Sequence, residues 1–139
     1  MAYVTSNETD STYYDLYIQS DSQLYANNDM SHWFEDFTAV DSINGLELLD
    51  TSMTTDMESI FNCIGKNSIV FTLDLSNFDT SNVTNMKQMF YKTGYSNTTF
   101  TLDLSNFDTS NVTNMSYMFY STGYSNTTFT LDLSNFDTS

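Results

Sequence analysis

Residues 72–100 read TLDLSNFDTSNVTNMKQMFYKTGYSNTTF, residues 101–129 read TLDLSNFDTSNVTNMSYMFYSTGYSNTTF, and residues 130–139 restart with TLDLSNFDTS. The copies begin at Thr72 and Thr101, a period of 29 residues. Repetition at such a period marks an array of supersecondary units that bury their apolar faces against one another. The two full copies differ only at Lys87/Ser116, Gln88/Tyr117 and Lys92/Ser121. An older copy sits upstream in the same register, with Asp50, Met57, Phe61 and Gly65 matching Asp79, Met86, Phe90 and Gly94. A fainter echo, Asp29-Met30 with Phe34, precedes Asp56-Met57 with Phe61 at an offset of 27.

Each unit holds two local patterns. Phe100, Leu102 and Leu104 alternate with Thr101, Asp103 and Ser105, the period of a strand with one buried face. Asp108-Thr109-Ser110-Asn111 follows, a cluster that favours turns and caps because its side chains bond nearby backbone N–H groups. Met115, Met118 and Phe119 then fall at i, i+3 and i+4, which predicts a short helix, with Gly123 suited to its left-handed C-terminal cap. One short parallel strand and one short helix per 29 residues predicts an α/β solenoid, each repeat one coil of a horseshoe or ladder; a β-solenoid is the alternative.

Upstream, Tyr14, Leu16 and Ile18 alternate with polar residues, Ser20-Asp21-Ser22 makes a turn, and Leu24-Tyr25 resumes. This predicts a β-hairpin over 12–26, lying across the first coil as an N-terminal cap. The chain then divides into a flexible N-terminus (1–11), the cap with a degenerate first coil (12–42), and the repeats (43–71, 72–100, 101–129 and a partial 130–139). Residues 130–139 halt before the helix that their pattern demands. That end is expected to meet more repeats or another chain, because an uncapped coil leaves strand edges and apolar rungs open.

Charge narrows the partners. Of 139 residues, 18 are acidic and three basic, giving −15. The bases are Lys66, Lys87 and Lys92, and arginine is absent. Such a chain repels phosphate backbones and anionic membrane surfaces. At 40 % apolar and 16 % aromatic it carries too much greasy material for a disordered tail. The lone Cys63 excludes an internal disulfide and multi-cysteine metal motifs. Four glycines and no proline exclude Gly-rich phosphate loops and Pro-rich linkers. No stretch approaches the ~20 apolar residues of a membrane span, and Met1-Ala2-Tyr3 lacks the basic and apolar regions of a signal peptide.

The string from Leu102 to Met115, closed by Met118-Phe119, resembles the repeat of BspA-like leucine-rich-repeat surface proteins of bacteria. The opening is similar to that family's cap, through Leu16-Tyr17-Ile18, Leu24-Tyr25-Ala26-Asn27-Asn28, Met30 and Phe34. The resemblance covers about residues 12–139. It implies an exported, cell-surface module for adhesion or recognition, without catalysis. The spacing of Leu102, Leu104 and Asn106 is one residue tighter than in ordinary leucine-rich repeats, so horseshoe curvature does not follow from it.

Stacked coils place equivalent residues about 4.8 Å apart in columns. Asp74, Asp103 and Asp132 form one column on the outward strand face, and Asp50, Asp79, Asp108 and Asp137 another at the turn. Neighbouring carboxylates at that spacing repel by about 0.9 kcal/mol in water. They are read as a solvated face and as turn caps, with Ca²⁺ binding as the functional alternative. Asn77, Asn106 and Asn135 form a third column, read as buried asparagines bonding adjacent backbones. Tyr91 and Tyr120, then Tyr95 and Tyr124, recur at the helix end and following loop, and Tyr117 replaces Gln88. Exposed tyrosines suit protein or glycan contacts, whereas the plainer reading seals coil against coil.

No catalytic or cofactor site is expected. His32 is the single histidine and reads, beside Trp33, as a packing residue of the cap; Cys63 lies a full coil away and reads as a semi-buried free thiol. The expected function is an extracellular recognition module that presents a repetitive acidic and tyrosine-bearing surface, Asp74, Asp103 and Asp132 with Tyr91, Tyr95, Tyr117, Tyr120 and Tyr124, to protein or glycan partners on host or neighbouring cells. The rival is an assembly protein whose open C-terminal coil stacks on another chain.

Overall fold

The computed structural model describes residues 2–6 and 14–137. The strands are β1 (Ala2–Ser6), β2 (Tyr14–Ile18), β3 (Leu24–Tyr25), β4 (Val40–Asn44), β5 (Leu49–Asp50), β6 (Val70–Leu73) and β7 (Thr99–Leu102). In β6 and β7 the two-residue alternation buries Phe71, Leu73, Phe100 and Leu102 and leaves Val70, Thr72, Thr99 and Thr101 in solvent. The main sheet has the order β1-β2-β4-β6-β7. β1 is antiparallel to β2, and every later pairing is parallel. Phe71 lies opposite Phe100 and Leu73 opposite Leu102, so the sequence period of 29 is also the register of the sheet. A second sheet pairs β3 with β5 in parallel, and single bridges join Asp29 to Asp56, Asp56 to Asn85 and Asn85 to Asn114.

Two expectations for the N-terminal part are corrected. Tyr14–Ile18 and Leu24–Tyr25 do not pair with each other as a hairpin. Each instead joins the next repeat in parallel, β2 on β4 and β3 on β5. Leu16 and Ile18 thereby enter the same core as the later repeats. Ala2–Ser6, expected within a flexible N-terminus, forms β1 on the outer edge of β2.

The expected helix is also absent. Among the described residues, the only helical element is one turn of 3-10 helix over Leu46–Leu48. The Met57–Lys66 segment is instead a chain of tight turns: Ile60, Asn62, Ile64 and Lys66 donate their N–H groups to Met57, Ser59, Phe61 and Cys63, each three residues back. The intervening residues donate outward. Met57, Ser59, Phe61 and Cys63 bond the carbonyls of Asn85, Lys87, Met89 and Tyr91 in the next repeat, at 2.8–3.1 Å. This row of amides repeats from Met30, His32, Phe34 and Asp36 to Asp56, Glu58, Ile60 and Asn62, and from Met86, Gln88, Phe90 and Lys92 to Asn114, Ser116, Met118 and Tyr120. An α-helix would spend those N–H groups internally. Positive φ makes the turns possible: Ser59 (56°), Cys63 (59°), Gln88 (55°), Lys92 (54°), Tyr117 (58°) and Ser121 (58°) all adopt it, as the third residue of a type II turn requires.

Gly94 shows where only glycine fits. Its φ is 57°, and a Cβ there would lie 2.3 Å from Asn97 Oδ1 and 3.0 Å from the Phe100 ring. Two of the three differences between the copies, Gln88/Tyr117 and Lys92/Ser121, fall on positive-φ positions where a side chain is tolerated.

The core runs through all repeats as columns of like residues. Phe34, Phe61, Phe90 and Phe119 stack with centroids 5.6, 5.8 and 5.7 Å apart. Phe71, Phe100 and Phe129 form a second stack at 5.6 and 5.4 Å. Phe61 and Phe90 are wholly buried, and each such ring contributes 3–5 kcal/mol by the usual truncation scale, of about that size.

Candidate functional site

The copies differ at the outward corners of the turns, and tyrosines gather there. Tyr91 and Tyr120 stack with centroids 5.2 Å apart and planes within 11°. Tyr95 and Tyr124 stack at 5.1 Å and 7°. Tyr117 stands edge-on to Tyr120 at 6.2 Å, and Lys92 Nζ sits 5.1 Å from the Tyr91 centroid. Tyr124, Tyr117 and Tyr120 remain 70 %, 63 % and 52 % exposed, and Tyr91 and Tyr95 are half-buried. The rings thus pack repeat against repeat, and Tyr117, Tyr120 and Tyr124 keep much of their surface in solvent.

Both aspartate columns are turn-forming. Asp74, Asp103 and Asp132 accept the N–H groups of Ser76, Ser105 and Ser134 at 2.9 Å. Asp50, Asp79 and Asp108 accept those of Ser52, Ser81 and Ser110 at 2.9–3.0 Å, and Asp137 is tied to Thr109 through its backbone N–H and carbonyl. The Ser76, Ser105 and Ser134 backbone N–H groups, then their hydroxyls, hold the carboxyls of Asp74, Asp103 and Asp132 below the usual aspartate value. For Asp50 and Asp108 the hydroxyls of Ser52 and Ser110 lead and the N–H groups follow. Like-charge neighbours push Asp103 the other way, but the two donors outweigh them. Asp74 and Asp103 line one groove with Thr72, Thr101 and Asn106. Among the described residues no group of three or more His, Cys, Asp or Glu side chains converges as a metal site.

The asparagine column joins repeats, from the surface and not from a buried position. Asn77 Nδ2 donates to the Leu46 and Leu49 carbonyls, Asn106 Nδ2 to Leu75 and Phe78, and Asn135 Nδ2 to Leu104 and Phe107. All three residues are exposed, because only the amide tip reaches across. The buried polar links lie elsewhere. Thr93 and Thr122 hydroxyls donate to the Phe61 and Phe90 carbonyls at 2.6 Å. Asn97, fully buried, donates to Gly65 and Ser68. Their spacing of 29 (Thr93 to Thr122, Asn97 to Asn126) was the available signal.

The singular residues His32, Trp33 and Cys63 lie apart from the tyrosine stacks in sequence. His32 does not pack into the cap: its Nδ1 faces Glu35 Oε2 at 2.6 Å on an exposed side chain, while Trp33 lies edge-on to Phe34 and stays 41 % exposed. Cys63 is half-buried, and burial pushes its thiol up, away from a reactive thiolate. Glu58 joins neighbouring repeats through Lys87 Nζ at 2.7 Å and Asn85 Nδ2 at 3.1 Å. The Lys87 bond, followed by that of Asn85, holds its carboxyl below the usual value.

No helix among the described residues is long and apolar enough to cross a membrane. No curated protein and no solved structure matches the chain. Residues 28–139 match the family described as "Mycoplasma protein of unknown function, DUF285", and the chain belongs to that family.

Proposed function

We propose that this chain is a non-enzymatic recognition module of a BspA-like bacterial surface protein, a solenoid of 29-residue coils acting outside the cell. Its partners would be proteins or glycans on host or neighbouring cells, met along the tyrosine edge. The observation that carries this reading is the paired stacks Tyr91–Tyr120 and Tyr95–Tyr124, with Tyr117 edge-on to Tyr120, in which Tyr117, Tyr120 and Tyr124 are exposed. Rigid aromatic rows supply contact area at little entropic cost, and their polar tips adapt to hydroxyl-rich or mixed surfaces. The repeat similarity to surface proteins and the −15 charge, which disfavours nucleic acid, support the same reading.

A binding screen on arrays of glycans and extracellular matrix proteins tests it. A ligand found there should lose at least about tenfold in affinity with Tyr117→Ser and Tyr124→Ser combined, the scale of a lost aromatic hot spot. Binding unaffected by that double substitution would remove the tyrosine edge from the function.

A further inference from the structure

Charge is segregated along the chain, and the tyrosine edge falls where the acids are missing. None of the 18 acidic residues lies in 59–73, 80–102 or 109–131. Those segments hold the tyrosine-bearing turns, whereas the aspartate columns stand after the strands and at the following corner. Lys66, Lys87 and Lys92, the three basic side chains of a chain carrying −15, all fall in the acid-free segments as well.

Lys87 is neutralised by Glu58 at 2.7 Å. Lys66 and Lys92 have no carboxylate within ion-pair distance among the described residues. Backbone bonds bring both to the tyrosines. The Lys66 carbonyl accepts the Ser96 N–H at 2.9 Å, next to Tyr95, and the Cys63 N–H donates to the Tyr91 carbonyl at 2.8 Å, next to Lys92. Lys92 Nζ sits 5.1 Å from the Tyr91 centroid. Burial raises the Cys63 thiol most, and the charges of Lys66 and Lys92 lower it against Asp36. Two cations and one carboxylate therefore face a single patch beside Tyr91 and Tyr95. Both lysines are half-buried, as expected where the stem lies along the surface and the charged head stays in water.

We propose that the ligand of the tyrosine edge, a role that rests on the reading above, is an acidic polysaccharide, its hydroxyls at the Tyr91 and Tyr95 phenols and its anionic groups at Lys66 and Lys92. Charge selects an anion, because the edge presents the two lysines that lack a carboxylate partner while the aspartate columns stand elsewhere. The tyrosines select a saccharide over an acidic peptide. Their phenol groups bond hydroxyls as donor or acceptor, and the stacked columns repeat at 5.1–5.2 Å, a regular edge for a regular polymer. The −15 of the whole chain opposes any anion at long range. At physiological salt, with a Debye length of about 8 Å, that opposition is confined to the other faces and the local lysines decide.

Titration calorimetry at physiological salt tests it, with dextran sulfate as the probe and dextran as the same backbone without the anionic groups. Dextran sulfate should bind and dextran should not. Lys66→Gln combined with Lys92→Ser should weaken dextran sulfate about fivefold or more. Ser121 already occupies the position equivalent to Lys92, so the repeat accepts that side chain. Silence with dextran sulfate, equal binding of dextran, tighter binding of polyglutamate, or indifference to the lysine pair overturns the proposal. The wild-type comparison of the two dextrans decides even if the variant fails to fold. A ligand from the glycan and matrix arrays that needs Tyr117 and Tyr124 yet ignores both lysines would overturn it too, while leaving the tyrosine-edge reading in place.

Discussion

Thr80 and Asp108 are bonded to each other twice across neighbouring repeats: the Thr80 hydroxyl donates to the Asp108 carbonyl at 3.0 Å and accepts the Asp108 N–H at 2.9 Å. The same pair recurs as Thr51 with Asp79 and as Thr109 with Asp137. Thr80 is 1 % exposed, so its hydroxyl serves one donor and one acceptor that have no easy substitute. Thr80→Val keeps the shape and strands both. It should cost about 1–3 kcal/mol, the range for unpaired buried polar groups, read as a lowered urea midpoint with an unchanged slope. Thr80→Ser should recover most of the loss.

Positive φ has opposite consequences at Gly94 and Gln88. Gly94→Ala adds a Cβ within 2.3 Å of Asn97 Oδ1 in a left-handed backbone, and should destabilise by about 2–4 kcal/mol from strain and overpacking together. At Gln88, with φ 55°, a Gln88→Gly change relieves left-handed strain but frees the unfolded chain, and the two nearly cancel, within about 0.5 kcal/mol. Thermal melts of both variants check the contrast.

Acid should unfold the chain through its aspartates. Asp50, Asp74, Asp103, Asp108 and Asp132 all have folded values below the ordinary one because serine donors hold the charged form. Below about pH 4, near the unfolded aspartate value, the unfolded state binds more protons, so stability is full above that pH and declines as pH falls through the folded values. Asp103→Asn keeps an oxygen for the Ser105 N–H and removes one titration. Its stability should fall less steeply between about pH 4 and pH 2; an identical slope would mean that Asp103 is not coupled to folding.

Calcium should leave the melting midpoint unchanged. The carboxylates of both columns already accept serine N–H groups, and no three acidic or imidazole side chains converge among the described residues. A midpoint that rises with added Ca²⁺ and falls with a chelator would show that a column binds the ion.

The repeat register was legible because the period and the strand register are one number, as Phe71 opposite Phe100 shows. The inward residues Phe100, Leu102 and Leu104 followed from alternation alone. The turns did not. Met115, Met118 and Phe119 have helical spacing, but nothing in Gln88, Lys92 or Tyr117 announces a left-handed backbone, which their residue types seldom adopt. Local pattern therefore pointed to a helix, while bonding to the neighbouring repeat decided the backbone. The N-terminal pairing was missed for a related reason: two alternating runs around a turn look like a hairpin, yet Leu24–Tyr25 found a better partner in Leu49–Asp50. Of the candidate site, the tyrosine and asparagine columns could be read from spacing, whereas the reciprocal Thr80–Asp108 pair needed the fold.

The outward-pointing amide rows also set how the protein would bear load. Each row binds one repeat to the next, and the polypeptide passes from row to row in order. Tension between the two ends of the chain therefore works on the outermost row first and leaves the inner ones engaged. Each released unit of 29 residues pays out about 100 Å of slack at full extension. Under force the molecule would lengthen in steps, one repeat at a time.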